Sequence, residues 1–370
     1  MAAPRQSRTT VMHLVGSAVD EFHADLSRVY AADALRTLDD PARFRMIVAS
    51  VDPDRTWRFA EDMAGLDDAA PLPLSDAVAH IASLGVDVIL PQMFCLPGMT
   101  TYRALADLLG IPLLGNEADL MALTADKART RAVVADAGVP VPTGRVLTAT
   151  CCSEGTRPTP PLPAVVKPAD SDNSVGVTLV RTPEEFDAAV TEASQFSARV
   201  LVEDYVELGR EVRCGVVVLD GEPVCLPLEE YAVDAATAPI RTREDKLRRS
   251  DDGELYLAAK TVDRAWIVPT DDPVTARVHD LALRAHAALG CRFYSLFDFR
   301  IDPEGNPWFL EAGLYCSYAR GSVVTTMAAA AGIDARTLFD HGLREVERLT
   351  GSRVLRPDDH ADRPEKGTPS

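Results

Sequence analysis

Short apolar runs alternate with helically spaced apolar residues through the first third of the chain. The runs are typical of buried strands, and the spaced positions are typical of amphipathic helices. Strands are predicted over residues 10–16, 44–51, 86–90 and 111–114. Helices are predicted over residues 22–38, 75–84 (with Ser75 as its N-cap) and 102–109. Strands that alternate with helices favour a parallel sheet with helices on both faces.

The pattern changes after about residue 120. One helix is predicted over 120–137, where Gly138 and two prolines end it. Further strands are predicted over 164–166, 177–180, 199–202, 211–219, 222–227, 293–301 and 307–311, the last two as an antiparallel pair. Further helices are predicted over 183–194, 273–289 and 323–349. The charged, proline-containing end from Arg356 is predicted to be disordered.

Composition and charge narrow the class of protein. The 370 residues are 46% hydrophobic, which is enough for two or three domains with a sizeable core. The net charge of -18 would repel a phosphate backbone, so nucleic acid is not expected as a partner. Seven cysteines without a CxxC pair favour a reducing cytoplasm. No apolar run has the roughly 18 residues of a membrane span, so no membrane contact is expected.

A lysine followed by a small polar loop is the first candidate for chemistry. Lys167 ends an apolar strand, and the loop 169–176, which includes Ser174, follows it. Backbone N–H groups of such a loop can bind a polyphosphate whose charge the lysine neutralises. The alternative is a surface lysine before a hairpin.

Two glutamates at strand ends are the second candidate. Glu203 can accept a hydrogen bond from an adenine amino group, and Glu211 can accept from ribose hydroxyls. Asp204 and Val206 can offer backbone atoms to the base. The alternative is two solvated glutamates.

Two carboxylates thirteen residues apart are the third candidate. Asp298 and Glu311 lie on the two strands predicted to pair, and Asp298 has apolar and aromatic neighbours. A carboxylate in such surroundings needs a partner. Two converging carboxylates suit Mg²⁺, which completes its shell with phosphate oxygens. The alternative is a structural ion pair between Asp298 and an arginine such as Arg300.

The order of these residues resembles the ATP-grasp superfamily and, within it, the D-alanine–D-alanine ligases, over about residues 85–335. The resemblance implies an α/β and α+β fold, in which a Rossmann-like parallel-sheet domain precedes two α+β subdomains that grip ATP. The implied domains are 1–120, 121–206, 207–350 and a tail of 351–370. ATP and Mg²⁺ are the implied cofactors. The implied ATP ligands are Lys127, Lys167, Ser174, Glu203, Asp204, Val206, Glu211 and Lys260, and the implied metal ligands are Asp298 and Glu311.

Departures from that family pattern point to a different acceptor. Gly313 stands where the family has a metal-binding asparagine, which leaves the choice between one and two magnesium ions open. Leu296 replaces an arginine two residues before the metal aspartate, and Arg300 is predicted to supply the lost charge, with Lys260 as the other catalytic residue. The segment 91–100 replaces the family's histidine-glycine-glycine segment, so D-alanine is not the expected acceptor.

A closer resemblance covers nearly the whole chain. The segments HLVGSAV, LPQMFCLPGMT, ELGREVRCG and YSLFDFRID look like the ligases of mycosporine-like amino acid biosynthesis. This implies phosphorylation of mycosporine-glycine and its coupling to an amino acid such as serine or threonine, which gives an imine, ADP and phosphate. Related ligases are often homodimers. One alternative is a dipeptide ligase of specialised metabolism, and another is a non-catalytic nucleotide sensor.

The family comparison also suggests where the amino acid binds. Ser322 falls where the family binds the carboxylate of its second substrate, near a helix start that favours anions. Arg320 and Tyr318 lie beside it, and an arginine can pair with a carboxylate through two hydrogen bonds. The alternative is that Ser322 only caps the helix and Arg320 is solvated. Glu229 and Glu230 could bind the incoming amine, but two consecutive acidic residues are more typical of a solvated turn, which is the preferred interpretation.

Overall fold

The computed structural model describes residues 8–148, 160–171, 175–234, 248–249, 255–256, 264–351 and 354–355. The strands are β1 Thr9–Gly16, β2 Phe44–Val51, β3 Trp57–Ala60, β4 Val88–Pro91, β5 Gly144–Thr148, β6 Ala164–Pro168, β7 Thr178–Val180, β8 Arg199–Asp204, β9 Arg210–Leu219, β10 Glu222–Cys225, β11 Glu229–Tyr231, β12 Arg248–Arg249, β13 Leu255–Tyr256, β14 Ala265–Ile267, β15 Tyr294–Ile301 and β16 Pro307–Gly313. The helices are α1 Glu21–Leu38, α2 Leu74–Ser83, α3 Leu96–Met99, α4 Thr101–Leu109, α5 Ala118–Thr124, α6 Lys127–Asp136, α7 Pro183–Ala193, α8 Pro273–Leu289, α9 Val323–Ala330 and α10 Ala335–Thr350.

The first sheet has the strand order β3-β2-β1-β4, and β1 pairs in parallel with both β2 and β4. This confirms the predicted parallel sheet. The strand predicted over 111–114 is wrong: Leu113 makes a single bridge to Ile89. Pro112 interrupts that run and has no N–H to donate to a ladder. The antiparallel edge strand β3 was not predicted.

Three predicted helix boundaries are wrong for a capping reason. The helix predicted over 323–349 is two helices, α9 and α10, because the Asp334 side chain accepts a hydrogen bond from the Thr337 N–H and so starts α10. The helix with Ser75 as its predicted N-cap begins at Leu74 after Pro73, and Ser75 lies inside its first turn. The single helix predicted over 120–137 is two helices, α5 and α6. The Asp126 side chain accepts hydrogen bonds from the N–H groups of Ala128 and Arg129 and so starts a new helix. Lys127 therefore occupies the first position of α6.

Two further sheets follow the first along the chain, and β12 pairs with β13 in a separate two-stranded sheet. The second has the order β5-β8-β6-β7 and is antiparallel throughout. The third has the order β14-β11-β9-β15-β16, with β10 also paired to β9. Strand β15, buried along its whole length, lies between β9 and β16. The predicted α/β and α+β architecture is thus confirmed, and the antiparallel pairing of β15 with β16 is confirmed with it.

A buried core links the first and third sheets. Val11 and Leu90 of the first sheet belong to the same buried cluster as Tyr294, Tyr318 and Phe339. Across the described residues, no helix has both the length and the apolar character that crossing a bilayer requires.

Candidate active site

A cavity between the second and third sheets gathers predicted nucleotide-binding, metal-binding and catalytic residues. Nine of them line it: Lys127, Lys167, Glu203, Asp204, Val206, Glu211, Asp298, Arg300 and Glu311. Two others, Ser174 and Lys260, lie outside the described residues. Lys167 of β6 and the two glutamates therefore line one site, as the sequence order suggested.

Glu203 is held by two cations. Its Oε2 accepts a hydrogen bond from Lys167 Nζ at 2.5 Å, and its Oε1 lies 3.2 Å from Arg131 Nε. Glu203 is only 5% exposed. The alternatives of a surface lysine and a solvated glutamate are therefore wrong, because β6 and β8 bring the two charges together inside the protein.

Glu211 and Arg300 form the second buried pair. They face each other across β9 and β15, and Arg300 Nη2 donates to Glu211 Oε2 at 3.0 Å. Arg300 also donates to the Val206 carbonyl at 3.2 Å and stacks on the Tyr205 ring, 5.4 Å from its centroid. Arg300 is thus fixed to the predicted ribose-binding glutamate.

Asp298 and Glu311 are register partners on β15 and β16. Asp298 accepts two hydrogen bonds from Arg213, one from Nε at 2.6 Å and one from Nη2 at 3.0 Å. Lys127 Nζ lies 3.5 Å from Glu311 Oε2 and donates to the Ser171 carbonyl at 2.5 Å. Two carboxylates that lie side by side at the wall of this cavity are a donor set that fits Mg²⁺.

Arg213 is a residue that the sequence reasoning missed. The sequence suggested Arg300 as the charge that replaces the arginine lost at Leu296, but the arginine bonded to Asp298 comes from the neighbouring strand β9. Burial lowers the pKa of Arg213, and the carboxylate of Asp298 more than offsets this, so its pKa lies well above the usual value. The alternation of Glu211 and Arg213 on one face of β9 was the available signal.

The side of Arg213 away from Asp298 rests on β11. Its guanidinium lies over the Tyr231 ring at 5.1 Å, and the Tyr231 hydroxyl donates to Glu229. Glu229 is 5% exposed, and Glu230 accepts a hydrogen bond from Arg210 at 2.6 Å. The interpretation of these two glutamates as a solvated turn is wrong, because they form a strand paired with β9.

A second cavity, of about 560 Å³, adjoins the first. Lys127, Ser171, Asp298 and Glu311 line both cavities. Its far wall is apolar and aromatic, and includes Phe94, Leu96, Met99, Leu296 and Tyr315. The rings of Phe94 and Tyr315 meet edge to face at 5.7 Å. The segment 91–100, which departs from the family pattern, thus forms part of this wall.

The three residues suggested for the amino-acid carboxylate do not line either cavity as far as the structure describes them. Tyr318 is 1% exposed and packs against Phe339 at a ring distance of 5.5 Å. Arg320 is bonded to Asp33, with 3.1 Å between Nη2 and Oδ1. Ser322 precedes α9, and its hydroxyl lies 2.8 Å from that of Thr325. Their role in substrate binding stays a prediction.

Comparisons with known proteins agree on one family. The family model of the D-ala D-ala ligase C-terminus matches residues 134–343. The D-alanine–D-alanine ligase of Mycolicibacterium smegmatis is 31% identical over 376 residues, which cover 92% of this chain and 96% of the relative. That of Mycolicibacterium gilvum is 30% identical and covers 85% and 91%.

Solved structures share the fold at lower identity. The D-alanine–D-alanine ligase of Coxiella burnetii has a TM-score of 0.73 and 19% identity, and covers 94% of this chain and 96% of its own. The VanG D-Ala:D-Ser ligase of Enterococcus faecalis has a TM-score of 0.71 and 21% identity, and covers 92% and 100%. These likenesses confirm the ATP-grasp fold. With the family model and the sequence relatives, they place the chain in the D-alanine–D-alanine ligase family, as an ATP-dependent ligase that forms carbon–nitrogen bonds with ATP and Mg²⁺.

Proposed function

We propose that the chain joins two small molecules where its two cavities meet. In the first step an acceptor oxygen attacks the γ-phosphorus, and the bond to the β,γ-bridging oxygen breaks with its electron pair going to ADP. In the second step the amine of an amino acid attacks the activated carbon. The bond from that carbon to the phosphate oxygen breaks, phosphate leaves with its electron pair, and the nitrogen releases its surplus protons to solvent. The observation that carries this proposal is the position of Asp298 and Glu311, which line both cavities.

Most of the described polar residues of the first cavity have a role in this proposal. Lys127 and Lys167 neutralise phosphate charge, Glu203 accepts from the adenine amino group, and Glu211 accepts from ribose. Asp204 and Val206 offer backbone atoms to the base. Bound Mg²⁺ would neutralise charge on the outer phosphates. The protein's own contribution is to position the reactants and to exclude water around them. Lys260 and Ser174 keep the phosphate-binding roles that the sequence suggests.

An amino acid is the acceptor that the relatives favour. They are D-alanine–D-alanine ligases, so the dipeptide-ligase alternative is better supported than mycosporine-glycine. In that case the attacking oxygen belongs to a carboxylate, the activated species is an acyl phosphate, and the product is a peptide bond.

Mycosporine-glycine is the second candidate acceptor, because of the shape and lining of the second cavity. A volume of about 560 Å³ is in the range of cavities that hold drug-sized ligands. The edge-to-face pair of Phe94 and Tyr315 gives it an aromatic wall, on which a flat conjugated ring can pack. The attacking oxygen would then be the ring ketone, and the product an imine formed with serine, threonine or another amino acid.

The domain division also forms part of this proposal. The three sheets follow one another along the chain within 1–120, 121–206 and 207–350. A nucleotide cavity lined from the second and third sheets is what two gripping subdomains require. Val354 and Leu355, at the start of the predicted tail, are buried in the core shared with the first sheet.

Product analysis with a panel of substrates tests the proposal. Purified protein, ATP and Mg²⁺ are incubated with amino-acid pairs and, separately, with mycosporine-glycine and single amino acids. ADP is measured beside the products by liquid chromatography. A dipeptide with matched ADP supports the first candidate, and a red-shifted ultraviolet-absorbing product supports the second. ATP binding without ADP release with any pair would instead support the nucleotide-sensor alternative.

A further inference from the structure

Arg213 is a cation bonded to the aspartate that is predicted to bind the metal. Both oxygens of Asp298 accept from it, at 2.6 and 3.0 Å. A two-point arginine–carboxylate contact fixes the direction of both groups, which a lysine cannot do. Arg213 faces Asp298 directly across β9 and β15, so the backbone register sets the contact.

Arg213 also reaches the second cavity. It lines that cavity together with Asp298, Glu311 and Tyr315. The same two carboxylates line the nucleotide cavity. The guanidinium of Arg213 therefore lies near the boundary of the two cavities. In the proposed reaction, the phosphoryl group passes from ATP to the acceptor at this boundary.

The β11 strand holds this arginine from behind. The Tyr231 ring lies against the guanidinium, and its hydroxyl is bonded to the buried Glu229. Stacking on a desolvated aromatic ring stabilises a guanidinium and restricts its rotation. Arg210, three residues away on the same strand, is bonded instead to Glu230 and Asp272 and lines neither cavity among the described residues.

We propose that Arg213 is a catalytic arginine of the phosphoryl-transfer step, which this chain supplies from β9, and that it shares Asp298 with the magnesium ion. This rests on the proposed function. As the acceptor oxygen bonds to the γ-phosphorus and the bond to ADP breaks, the guanidinium donates to the transferring oxygens and neutralises their charge. Tyr231 and Glu229 act as positioning residues for the guanidinium.

If Arg213 and Mg²⁺ share Asp298, the removal of Arg213 changes the Mg²⁺ affinity in the opposite direction from that expected for a purely structural arginine. Arg213 and a cation draw on the same two carboxylate oxygens, and the arginine's positive charge also repels the cation. Removing Arg213 therefore strengthens Mg²⁺ binding while it slows the reaction. If the arginine had only a structural role, its removal would weaken Mg²⁺ binding as well as slow the reaction.

The test compares Arg213→Met with Arg210→Met as the matched control on the same strand. Mg²⁺ is titrated calorimetrically into each protein in the presence of a non-hydrolysable ATP analogue, and ADP release is measured at saturating substrates. For Arg213→Met we expect Mg²⁺ affinity to rise by about twofold or more. We expect kcat to fall by about 10- to 100-fold, as for the loss of a charged hydrogen bond in the transition state. Arg210→Met retains both values.

Arg213→Lys and Tyr231→Phe separate charge from geometry. The lysine variant keeps the charge without the two-point contact, and we expect an intermediate kcat. Tyr231→Phe keeps the ring but loses the bond to Glu229, and we expect a smaller fall in kcat with an unchanged KM for ATP.

Two results would overturn the proposal: an unchanged kcat in Arg213→Met, or Mg²⁺ binding in that variant that is equal to or weaker than in the wild type. Failure of the proposed function looks different, since the wild type would then release no ADP with any acceptor. The Mg²⁺ titration still decides the sharing of Asp298 in that case, and equal or weaker binding by Arg213→Met would refute it.

Discussion

Charged residues around the two cavities are paired with one another. Lys167 pairs with Glu203, Arg300 with Glu211, and Arg213 with Asp298. The desolvation cost of burying such ion pairs is about as large as the attraction between their charges, so the pairs add little to the stability of the fold. Their presence here fits a site in which the cations bind phosphate groups and the carboxylates bind Mg²⁺ and the nucleoside.

The Lys167–Glu203 pair gives a prediction at this scale. Lys167→Met leaves the buried Glu203 without its closest cation, so we expect a loss of about 3–5 kcal/mol in unfolding free energy together with weaker ATP binding. In the double variant Lys167→Met/Glu203→Gln, much of the stability returns but ATP binding does not. Urea denaturation and nucleotide titration measure the two effects. Recovery of ATP binding in the double variant would contradict the phosphate-binding role of Lys167.

The metal ligands give a second prediction. Asp298→Asn or Glu311→Gln removes a carboxylate oxygen that suits Mg²⁺, so we expect weaker Mg²⁺ binding and at least about a tenfold fall in kcat. Glu304→Gln, in the exposed turn between the same two strands, serves as the control. Calorimetric Mg²⁺ titration and ADP release provide the measurements. Full activity of both variants at ordinary Mg²⁺ would exclude this metal site.

The sequence was enough to predict the two metal-binding carboxylates, but not the arginine that pairs with Asp298. Strand alternation and residue order were enough to bring Asp298 and Glu311 together, because their strands are neighbours in the chain. The pairing of Arg213 with Asp298 depends on the register between β9 and β15, strands separated by about 80 residues. Periodicity along one strand carries no information about such a register.

At the scale of single elements, capping decides where the nucleotide residues lie. Asp126 ends the run of α5, begins α6 and so places Lys127 at the cavity. It also pairs with Arg199 of β8. The sequence pattern predicted one continuous helix here, because no proline or glycine interrupts residues 120–137 and the cap acts only locally.

The cap gives a prediction at the element scale. Asp126→Ala removes hydrogen bonds to two backbone N–H groups, so we expect a loss of about 1–2 kcal/mol and a higher KM for ATP through Lys127. Asp334→Ala removes a comparable cap from α10, since the Asp334 side chain accepts from the Thr337 N–H. Thermal unfolding and ATP kinetics compare the two. If both variants lost stability and neither changed its KM, the cap would have no role in placing Lys127.

The whole molecule buries neutral histidines in separate parts of its core. Burial lowers the pKa of His13, beside Gln92 in the first sheet, to about 4, and that of His286, on α8, to about 4. In unfolded chains a histidine titrates near 6.5. Between these values the unfolded state binds more protons than the folded state, so stability falls as the pH falls from about 6.5 to 4.

This sign gives a prediction for the whole molecule. We expect the urea midpoint to be lower at pH 5 than at pH 7.5, by the equivalent of up to a few kcal/mol. The double variant His13→Gln/His286→Gln is the control, and its midpoint should change less between the two pH values, whatever its absolute stability. An equally steep change in the double variant would assign the pH dependence to other groups.

The order of sheets was predictable from the whole sequence, whereas the acceptor was not. Alternating strand and helix patterns indicate the first sheet, and the nucleotide residues mark the next two. The acceptor cavity is assembled from segments far apart in sequence, such as Phe94 and Tyr315. Its volume and wall arise only when the first and third sheets pack together.

Transfer of the acceptor's oxygen to phosphate tests the central claim most directly. The acceptor is labelled with oxygen-18 at its reacting oxygen, a carboxylate for an amino acid or the ketone for mycosporine-glycine. After turnover with ATP and an amino acid, the released phosphate is analysed by mass spectrometry. If the acceptor is phosphorylated and the amine then displaces phosphate, each phosphate released in coupling carries one acceptor oxygen. Product formation with unlabelled phosphate would contradict this account.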